Sequence, residues 1–348
     1  MATIKEIAKA CNVSIATVSN ILNNKGKVGE ETRKLVLEQV ERMNYVPNTV
    51  ARNLKCKTTK MIGILTEDLT VFNTPEIVDG IHECLEQRGY NFMLGNLRIY
   101  KKYGNDFGYH QEFKNHLDDE LAIMRGKQVE GLIYVSAHSR DLSGMLEQDP
   151  AMPLVVVYGF AGEREIPSVI FDDEKAAAAV VTKLLESGED QIGVIAGEKD
   201  STHTRERLLG YQKAIFRKGV LYNPELVHYG DWSRQFGYEA AGRLFERGVR
   251  TVFSMNDRMA AGIYDYAVEH NLAVGRDVFV GGIGSEISDI LRPKLTTVEM
   301  PLFAMGYCAG ERIVNILEGK EKCTRCIHKI EGRLLNMENG SAYDAALI

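Results

Sequence analysis

The chain has 348 residues, of which 45% are hydrophobic and 26% are charged, with only 8 prolines. This composition is typical of a globular protein of two or three domains and excludes a largely disordered chain. No apolar run reaches the roughly 18 residues of a membrane helix, and the first 30 residues contain no signal-peptide core. The 6 cysteines are too few for a disulfide scaffold. We therefore predict a cytoplasmic protein with no membrane association.

The charge is distributed unevenly along the chain. Residues 1–60 contain 11 Lys and Arg against 5 Glu and no Asp, a balance of +6, so the rest carries −12 within the net charge of −6. A small basic segment on an acidic body indicates that only this segment meets a polyanion. A solvated charge face that arose by chance is the alternative.

The basic segment is predicted to form a helix–turn–helix with a supporting third helix. Thr3 and Glu6 have the spacing of a capping box at the start of the first helix. Asn12 stands where a tight turn needs a residue that tolerates the left-handed conformation. Ser14 is a suitable N-cap for the second helix, and the third helix is predicted over about residues 30–43.

The second helix is predicted to have two distinct faces. At 100° per residue, its buried stripe consists of Val18, Ile21 and Leu22. The opposite face carries small and amide side chains, which read base edges in the major groove. Its members are Ala16, Ser19, Asn20 and Asn23, with Ile15 at the flank. The pattern favours a DNA-reading helix over an ordinary surface helix.

A linker follows the third helix. Pro47 and Asn48 stop the chain and cap a short run, 49–56, which is long enough for one or two helical turns that are marginal on their own. The predicted domains are a DNA-binding domain at 1–46, a hinge helix and linker at 47–60, and a core at 61–348.

From residue 61 the chain alternates short apolar strands with helices. The strands are predicted at 61–65, 131–135, 154–158, 192–196, 251–255 and 278–282, and the helices at 75–88, 174–186, 205–218 and 257–270. This order predicts an α/β fold with parallel sheets covered on both faces. The spacing from Gly80 to Gly89 recurs from Gly210 to Gly219, which indicates two similar lobes. Two doubly wound lobes that face a cleft are the predicted layout, with ligand at the carboxyl ends of the strands.

The sequence contains no recognisable catalytic constellation. It lacks the GxxxxGK[ST] phosphate loop, the GxSxG elbow and the HExxH zinc motif. Cys323 and Cys326 form a lone CxxC, and His328 does not complete a metal site. We predict that the protein is not an enzyme and that it has no metal and no cofactor. An enzyme of doubly wound fold is the alternative, but residues 1–60 would then have no purpose.

Four motifs near the N-terminus are more specific. They are Thr3-Ile4-Lys5-Glu6-Ile7-Ala8, Val13-Ser14-x-x-Thr17-Val18-Ser19, Asn44-Tyr45-x-Pro47-Asn48 and Ala51-Arg52-x-Leu54. In these motifs, and over essentially its whole length, the chain resembles the lactose/galactose repressor family of bacterial transcriptional regulators. The resemblance implies a two-lobed periplasmic-binding-protein-like core, with an N-lobe at about 61–172 and 301–331 and a C-lobe at about 173–300 and 332–348. It also implies a homodimer that binds pseudo-palindromic double-stranded operator DNA.

By position, the resemblance assigns DNA contacts in the first 60 residues. Ile15, Ala16 and Asn20 would read bases, whereas Ser14, Thr17 and Ser19 would mainly position the DNA backbone. Leu54 matches the leucine that the family's hinge helix wedges into the minor groove, a contact that kinks the duplex. The full predicted set is Thr3, Ser14, Ile15, Ala16, Thr17, Ser19, Asn20, Asn23, Asn48, Leu54 and Lys55.

The resemblance also assigns a small-molecule effector site between the lobes. Arg207 matches an arginine that holds effector hydroxyls or a carboxylate, and Trp232, the only tryptophan, matches a position that stacks on ligand. The predicted set is Phe72, Asn73, Ser136, Arg207, Trp232, Asn256 and Asp257. A structural role is the alternative for Phe72, Asn73 and Ser136. For Arg207 the alternative is a structural ion pair, for instance with Glu206 or Asp231.

Two segments depart from the family pattern. The run 282–285, Gly-Ile-Gly-Ser, lacks the acidic effector ligand found there in the family, which argues against a standard sugar or purine effector. A sugar or sugar derivative stays a candidate. Residues 98–116 are long and aromatic, and they indicate a cleft flap, a contact surface or a surface loop. Our prediction is a repressor controlled by a small molecule, and the alternative is control by a partner protein.

Overall fold

The structure is a computed structural model that describes residues 3–22, 26, 28–45, 58–103, 111–188, 191–284, 287 and 290–335. The chain divides into two compact units, Met1–Thr59 and Lys60–Ile348. No helix within these described ranges is long and apolar enough to cross a lipid bilayer. The predicted hinge helix lies outside the described residues, as do four predicted DNA contacts, Asn23, Asn48, Leu54 and Lys55.

The described part of the first unit is helical. Its helices are α1 (Ile4–Ala10), α2 (Ile15–Leu22) and α3 (Glu30–Arg42). The predicted capping box is confirmed, because the Thr3 amide donates to Glu6 Oε2 over 2.8 Å and the Glu6 amide donates to Thr3 Oγ1 over 3.4 Å. Asn12 has the predicted left-handed conformation, with φ of 52°. The core of this unit comprises Ile7, Ala8, Cys11, Val18, Ile21 and Val36.

The described part of the second unit contains two six-stranded sheets. The strands of the first sheet are β1 (Met61–Thr66), β2 (Asn91–Asn96), β3 (Gly131–Val135), β4 (Leu154–Val157), β5 (Pro167–Phe171) and β11 (Cys326–Ile330). Those of the second are β6 (Ile192–Ala196), β7 (Val227–Tyr229), β8 (Thr251–Ser254), β9 (Phe279–Ile283), β10 (Thr296–Glu299) and β12 (Arg333–Leu335).

The two sheets have the same strand order. The strand order is β11-β5-β4-β3-β1-β2 in the first and β12-β10-β9-β8-β6-β7 in the second. Neighbouring strands are parallel, except that β12 runs antiparallel to β10. The order reverses between β1 and β3 and between β6 and β8. Doubly wound sheets bind ligands outside the carboxyl ends of their strands at such a switch point.

Helices cover both sheets. We call the first sheet and its helices the N-lobe, and these helices are α4 (Thr74–Gln87), α5 (Ile99–Tyr103), α6 (Gln111–Gly126) and α11 (Leu302–Leu317). The second sheet and its helices form the C-lobe, and these helices are α7 (Asp173–Leu184), α8 (Thr202–Arg217), α9 (Arg234–Glu246) and α10 (Asp257–Glu269). The chain crosses between the lobes after β5, after β10 and after β11.

The sequence patterns identify the most apolar elements and miss the others. All six predicted strands are present within one residue at each end, and the predicted helix at 205–218 begins three residues earlier, at Thr202. Elements that the patterns did not predict are β2, β5, β7, β10, β11, β12, α5, α6, α9 and α11. Several of these are short or half-exposed strands, for which apolar periodicity is weak.

The recurrent glycine spacing marks two close helix crossings. A Cβ at Gly80 of α4 would lie 2.1 Å from the carbonyl oxygen of Phe303 in α11, and a Cβ at Gly210 of α8 would lie 2.1 Å from that of Glu174 in α7. Both distances are far shorter than any van der Waals contact. The two lobes therefore use the same device, a glycine that lets two helix backbones approach.

We expect Gly80→Ala and Gly210→Ala each to destabilise the second unit by about 1–3 kcal/mol, because the added methyl group must push two helices apart. Gly126→Ala is the matched control, since a Cβ at this helix end meets nothing within 4 Å. The measurement is urea unfolding followed by circular dichroism. Equal midpoints for Gly80→Ala, Gly126→Ala and the parent protein would contradict the close-crossing argument.

Candidate functional site

The second helix of the first unit exposes the face that the sequence assigns to DNA. Val18 and Ile21 are buried, whereas Ile15 is 46% exposed, and Ala16 and Asn20 are exposed as well. Ser14 Oγ accepts a hydrogen bond from the Thr17 amide over 3.0 Å and so caps the start of α2. The helix therefore begins at Ile15 with small, apolar and amide side chains directed away from the core.

The predicted effector residues of the C-lobe lie together. The Arg207 guanidinium carbon is 5.9 Å from the centroid of the Trp232 ring, within cation–π range. Asn256 Nδ2 donates to the Trp232 carbonyl over 3.2 Å, and Asn256 Oδ1 caps α10 by accepting from the Met259 amide over 2.7 Å. These three predicted residues surround the switch point between β6 and β8.

Arg207 is also the centre of a buried ion pair. Its Nε donates to Asp173 Oδ1 over 2.6 Å, and its Nη1 donates to the carbonyl of Met255. The partner is Asp173, whereas Glu206 binds Lys329 instead. Burial acts to raise the pKa of Asp173, but the adjacent His203 ring and Arg207 guanidinium hold it below its usual range. Asp173 is therefore ionised at neutral pH.

Asp257 is the first residue of α10, directly after Asn256. It is 2% exposed, and its Oδ1 accepts a hydrogen bond from Thr297 Oγ1 over 2.9 Å. A Cβ at Gly282 would lie 2.7 Å from the same oxygen. The Asp257 carboxylate thus occupies space beside the run 282–284, which gives a physical reason for a small residue at Gly282.

The N-lobe residues face a second buried ion pair. Asn73 Nδ2 donates to the Ser136 carbonyl over 3.2 Å, whereas Phe72 is 41% exposed. Arg140 donates from Nη1 and Nη2 to the two oxygens of Glu67, over 2.9 and 2.6 Å, and Glu67 is fully buried. Both lobes therefore present a neutralised arginine–carboxylate pair near their switch points.

The sequence patterns did not identify four buried residues at the contact between the two lobes. They are Ser139 and Tyr158 of the N-lobe and Asp173 and His203 of the C-lobe. Only position along the chain could have identified two of them. Asp173 follows a buried strand that was not predicted, and His203 precedes Arg207 by one helical turn. Neither motif nor composition marks them.

The aromatic segment 98–116 is partly described. Residues 104–110 lie outside the described residues, and the flanking parts belong to α5 and α6. Tyr100 Oη lies 2.5 Å from His138 Nε2. Burial lowers the pKa of His138 to about 4 and raises that of Tyr100 to about 12, so the tyrosine donates to a neutral imidazole. Tyr100 thus connects this segment to the carboxyl end of β3.

Comparison with known proteins identifies relatives over nearly the whole chain. A family model described as bacterial regulatory proteins, lacI family, matches residues 3–48, and one described as a periplasmic binding protein-like domain matches residues 181–335. The HTH-type transcriptional regulator RegA of Clostridium saccharobutylicum is 32% identical, over 92% of this chain and 94% of that protein. Catabolite control protein A of Priestia megaterium is 31% identical, over 95% of this chain and 98% of that protein.

A solved structure shows the same fold. The crystal structure of the lac repressor dimer bound to operator and the anti-inducer ONPF matches with a TM-score of 0.77 at 24% identity, covering 98% of this chain and 99% of that chain. The predicted fold, a helix–turn–helix head on a two-lobed core like that of periplasmic binding proteins, is thereby confirmed.

We expect Asp173→Asn to destabilise the second unit by about 3–5 kcal/mol at pH 7, because it leaves the Arg207 charge buried without a counter-charge. Since the folded-state pKa of Asp173 lies below the ordinary aspartate value of about 3.9, its stabilisation is complete above about pH 4 and is lost as the pH falls through the lower value. The variant should therefore lose less stability on acidification than the parent protein does.

Urea unfolding between pH 3 and pH 7 measures both effects. Asp265→Asn is the control, because Asp265 pairs with Arg234 at the surface with side-chain exposures of 37% and 61%. Such a pair is worth about 1 kcal/mol or less. Equal losses in the two variants would show that burial of the Asp173 pair has no energetic consequence.

Proposed function

Because the chain belongs to the lacI family of bacterial regulatory proteins and is a DNA-binding transcriptional regulator, we propose that it represses transcription as a homodimer controlled by an effector in the interlobe cleft. The observation that carries DNA recognition is the exposed face of α2. Its Ile15, Ala16 and Asn20 side chains point away from the buried stripe of the same helix. Amide and small apolar side chains of this kind pair with adenine edges and contact thymine methyl groups.

The hinge completes the proposed DNA site. Asn48, Leu54 and Lys55 are assigned to it by sequence position, with Leu54 as an apolar wedge in the minor groove and Lys55 as a phosphate contact. A wedge favours a deformable pyrimidine–purine step, so we place such a step at the centre of a pseudo-palindrome. The resemblance to the family implies that this step is CG. Thr3, Ser14, Thr17, Ser19 and Asn23 are proposed to position the DNA backbone or to border the reading face.

The effector is proposed to be an uncharged molecule rich in hydroxyl groups, such as a sugar derivative. Two of the three Arg207 nitrogens are engaged by Asp173 and Met255, so its charge is already neutralised. Trp232 and Asn256 lie beside it, and Phe72, Asn73 and Ser136 border the cleft from the N-lobe. Asp257 accepts a hydrogen bond from Thr297. This contact favours a role for Asp257 in positioning the site over direct contact with the effector.

Selection of operator DNA from random duplexes tests the proposed function. The expected result is a pseudo-palindrome with a central pyrimidine–purine step and salt-dependent affinity that changes with one member of a metabolite panel. Asymmetric or direct-repeat sites would contradict the symmetric dimer. A response to a protein from the same cell, with none to any metabolite, would favour control by a partner protein instead.

Base reading and phosphate contact should separate in mutants of the DNA-binding residues. Asn20→Ala is expected to relax specificity at one base pair per half-site, at a cost of about 1–3 kcal/mol. Lys55→Ala should weaken binding to all sequences alike and reduce the salt slope by about 1 per subunit. Fluorescence anisotropy with matched and mismatched duplexes measures both effects. Lys218→Ala, an exposed lysine of the C-lobe, is the charge-matched control, and identical changes in Asn20→Ala and Lys55→Ala would refute the assignment.

Arg207→Ala should uncouple effector from operator. A ligand shifts the DNA-binding equilibrium only by the free energy with which it binds the two states differently. Arg207→Ala also leaves Asp173 without its counter-charge, so we expect a loss of stability similar to that in Asp173→Asn. In the protein that stays folded we expect nearly unchanged operator affinity without effector and no effector response. Trp232 is the only tryptophan, so its fluorescence reports effector binding directly. Arg205→Ala on the exposed face of the same helix is the control, and a retained response in Arg207→Ala, with thermal unfolding confirming the fold, would return Arg207 to a structural role.

A further inference from the structure

His203 of the C-lobe makes a buried contact with the N-lobe. It lies in the first turn of α8 and is 7% exposed. Its Nδ1 is 2.8 Å from Asp173 Oδ2. Because the ionised carboxylate can only accept, Nδ1 carries the proton of this hydrogen bond. The orientation of the ring and its tautomer are therefore set by Asp173.

The other side of the ring meets the N-lobe. The backbone amide of Ser139, in the loop after β3, donates to His203 Nε2 over 3.4 Å. The Tyr158 ring, directly after β4, packs against the imidazole at a centroid distance of 5.4 Å. Because the Ser139 amide can only donate, Nε2 is the acceptor in this contact and Nδ1 is the donor to Asp173.

The contact of His203 joins the carboxyl ends of the strands of one sheet to those of the other. Ser139 and Tyr158 are 8% and 4% exposed, so water does not replace the imidazole freely at either group. A second polar contact also joins the lobes, between Lys329 of β11 and Glu206 of α8 over 3.0 Å, but its partners are about 39% and 37% exposed. Of these two contacts, that of His203 is buried and that of Lys329 is exposed.

We propose that His203 is an interlobe latch and the specificity-determining residue of the cleft, where it occupies the place that an effector must take. The latch joins the two lobes through the contacts of the His203 ring with Ser139 and Tyr158. A molecule that replaces the ring must accept from the Ser139 amide, donate to Asp173 and pack on Tyr158. Only the consequence for effector choice rests on the proposed function. The latch itself depends on the contacts of His203 alone.

Two isosteric variants separate the two hydrogen bonds of the ring. In His203→Asn, the side-chain amide nitrogen matches Nδ1 and keeps the Asp173 contact but does not reach Ser139. In His203→Gln, the longer side chain places its carbonyl oxygen near the position of Nε2 and can accept from Ser139. A role confined to filling space or solvating Asp173 would not distinguish the variants in this way.

Hydrogen–deuterium exchange of the full chain, with fragmentation that resolves the Ser139 amide, measures the latch. We expect exchange about tenfold faster in His203→Asn and His203→Ala, as expected for the loss of one protecting hydrogen bond, and within about threefold of the parent rate in His203→Gln. His270→Asn, an exposed histidine of the C-lobe, is the matched control. An unchanged rate in His203→Asn would overturn the latch.

Imidazole is the probe for the vacated position. Added at millimolar concentration to His203→Ala, it should restore slow exchange at Ser139, whereas it should have no effect on the parent protein. No restoration, with thermal unfolding showing a folded His203→Ala variant, would overturn the claim that a ligand-sized position exists there. Neither measurement uses DNA or effector, so failure of the latch is distinguishable from failure of the proposed function, which operator binding reports.

Discussion

The buried contact between the two lobes depends on the solvation of one carboxylate. Asp173 is 3% exposed at the start of α7, and an ionised group in such a position requires charges and hydrogen-bond donors in place of water. The N-terminal end of the helix supplies part of this through its dipole. Arg207 and His203, one helical turn apart on α8, supply the rest. The need to solvate Asp173 therefore explains why Arg207 and His203 lie on the C-lobe side of the contact between the lobes.

The close packing of α7 on α8 makes that arrangement possible. Gly210 lies one turn after Arg207 and allows the two helix backbones to approach, which brings Arg207 and His203 within hydrogen-bond distance of the N-terminus of α7. The equivalent crossing in the N-lobe, between α4 and α11, involves Gly80. The same strand order and the same glycine device thus recur in the two lobes, while the polar residues at their switch points differ.

Sequence patterns predicted what depends on local chemistry. The capping box of Thr3 and Glu6, the turn at Asn12 and the buried strands follow from residues that are neighbours in the chain. The sequence patterns did not predict helix α11, which contains Gly306, and glycine lowers helix propensity. A Cβ at Gly306 would lie 1.9 Å from the Ile77 carbonyl oxygen. The close packing of α11 on α4 therefore outweighs the helix propensity of this residue. The ion pair of Asp173 with Arg207 joins residues 34 positions apart, so only the folded chain reveals it.

The two buried arginine–carboxylate pairs limit the charge of a ligand at the proposed effector position. Arg140 of the N-lobe and Arg207 of the C-lobe are each already paired with a buried carboxylate. A charged ligand that recruited either arginine would leave Glu67 or Asp173 without its partner, at a cost of about 3–5 kcal/mol. An uncharged ligand avoids this cost, since it can replace the His203 ring, accept from the Ser139 amide and donate to Asp173 while both ion pairs stay intact. At the proposed effector position, hydrogen-bond geometry and aromatic packing would therefore discriminate among uncharged ligands, and the two ion pairs would exclude charged ones.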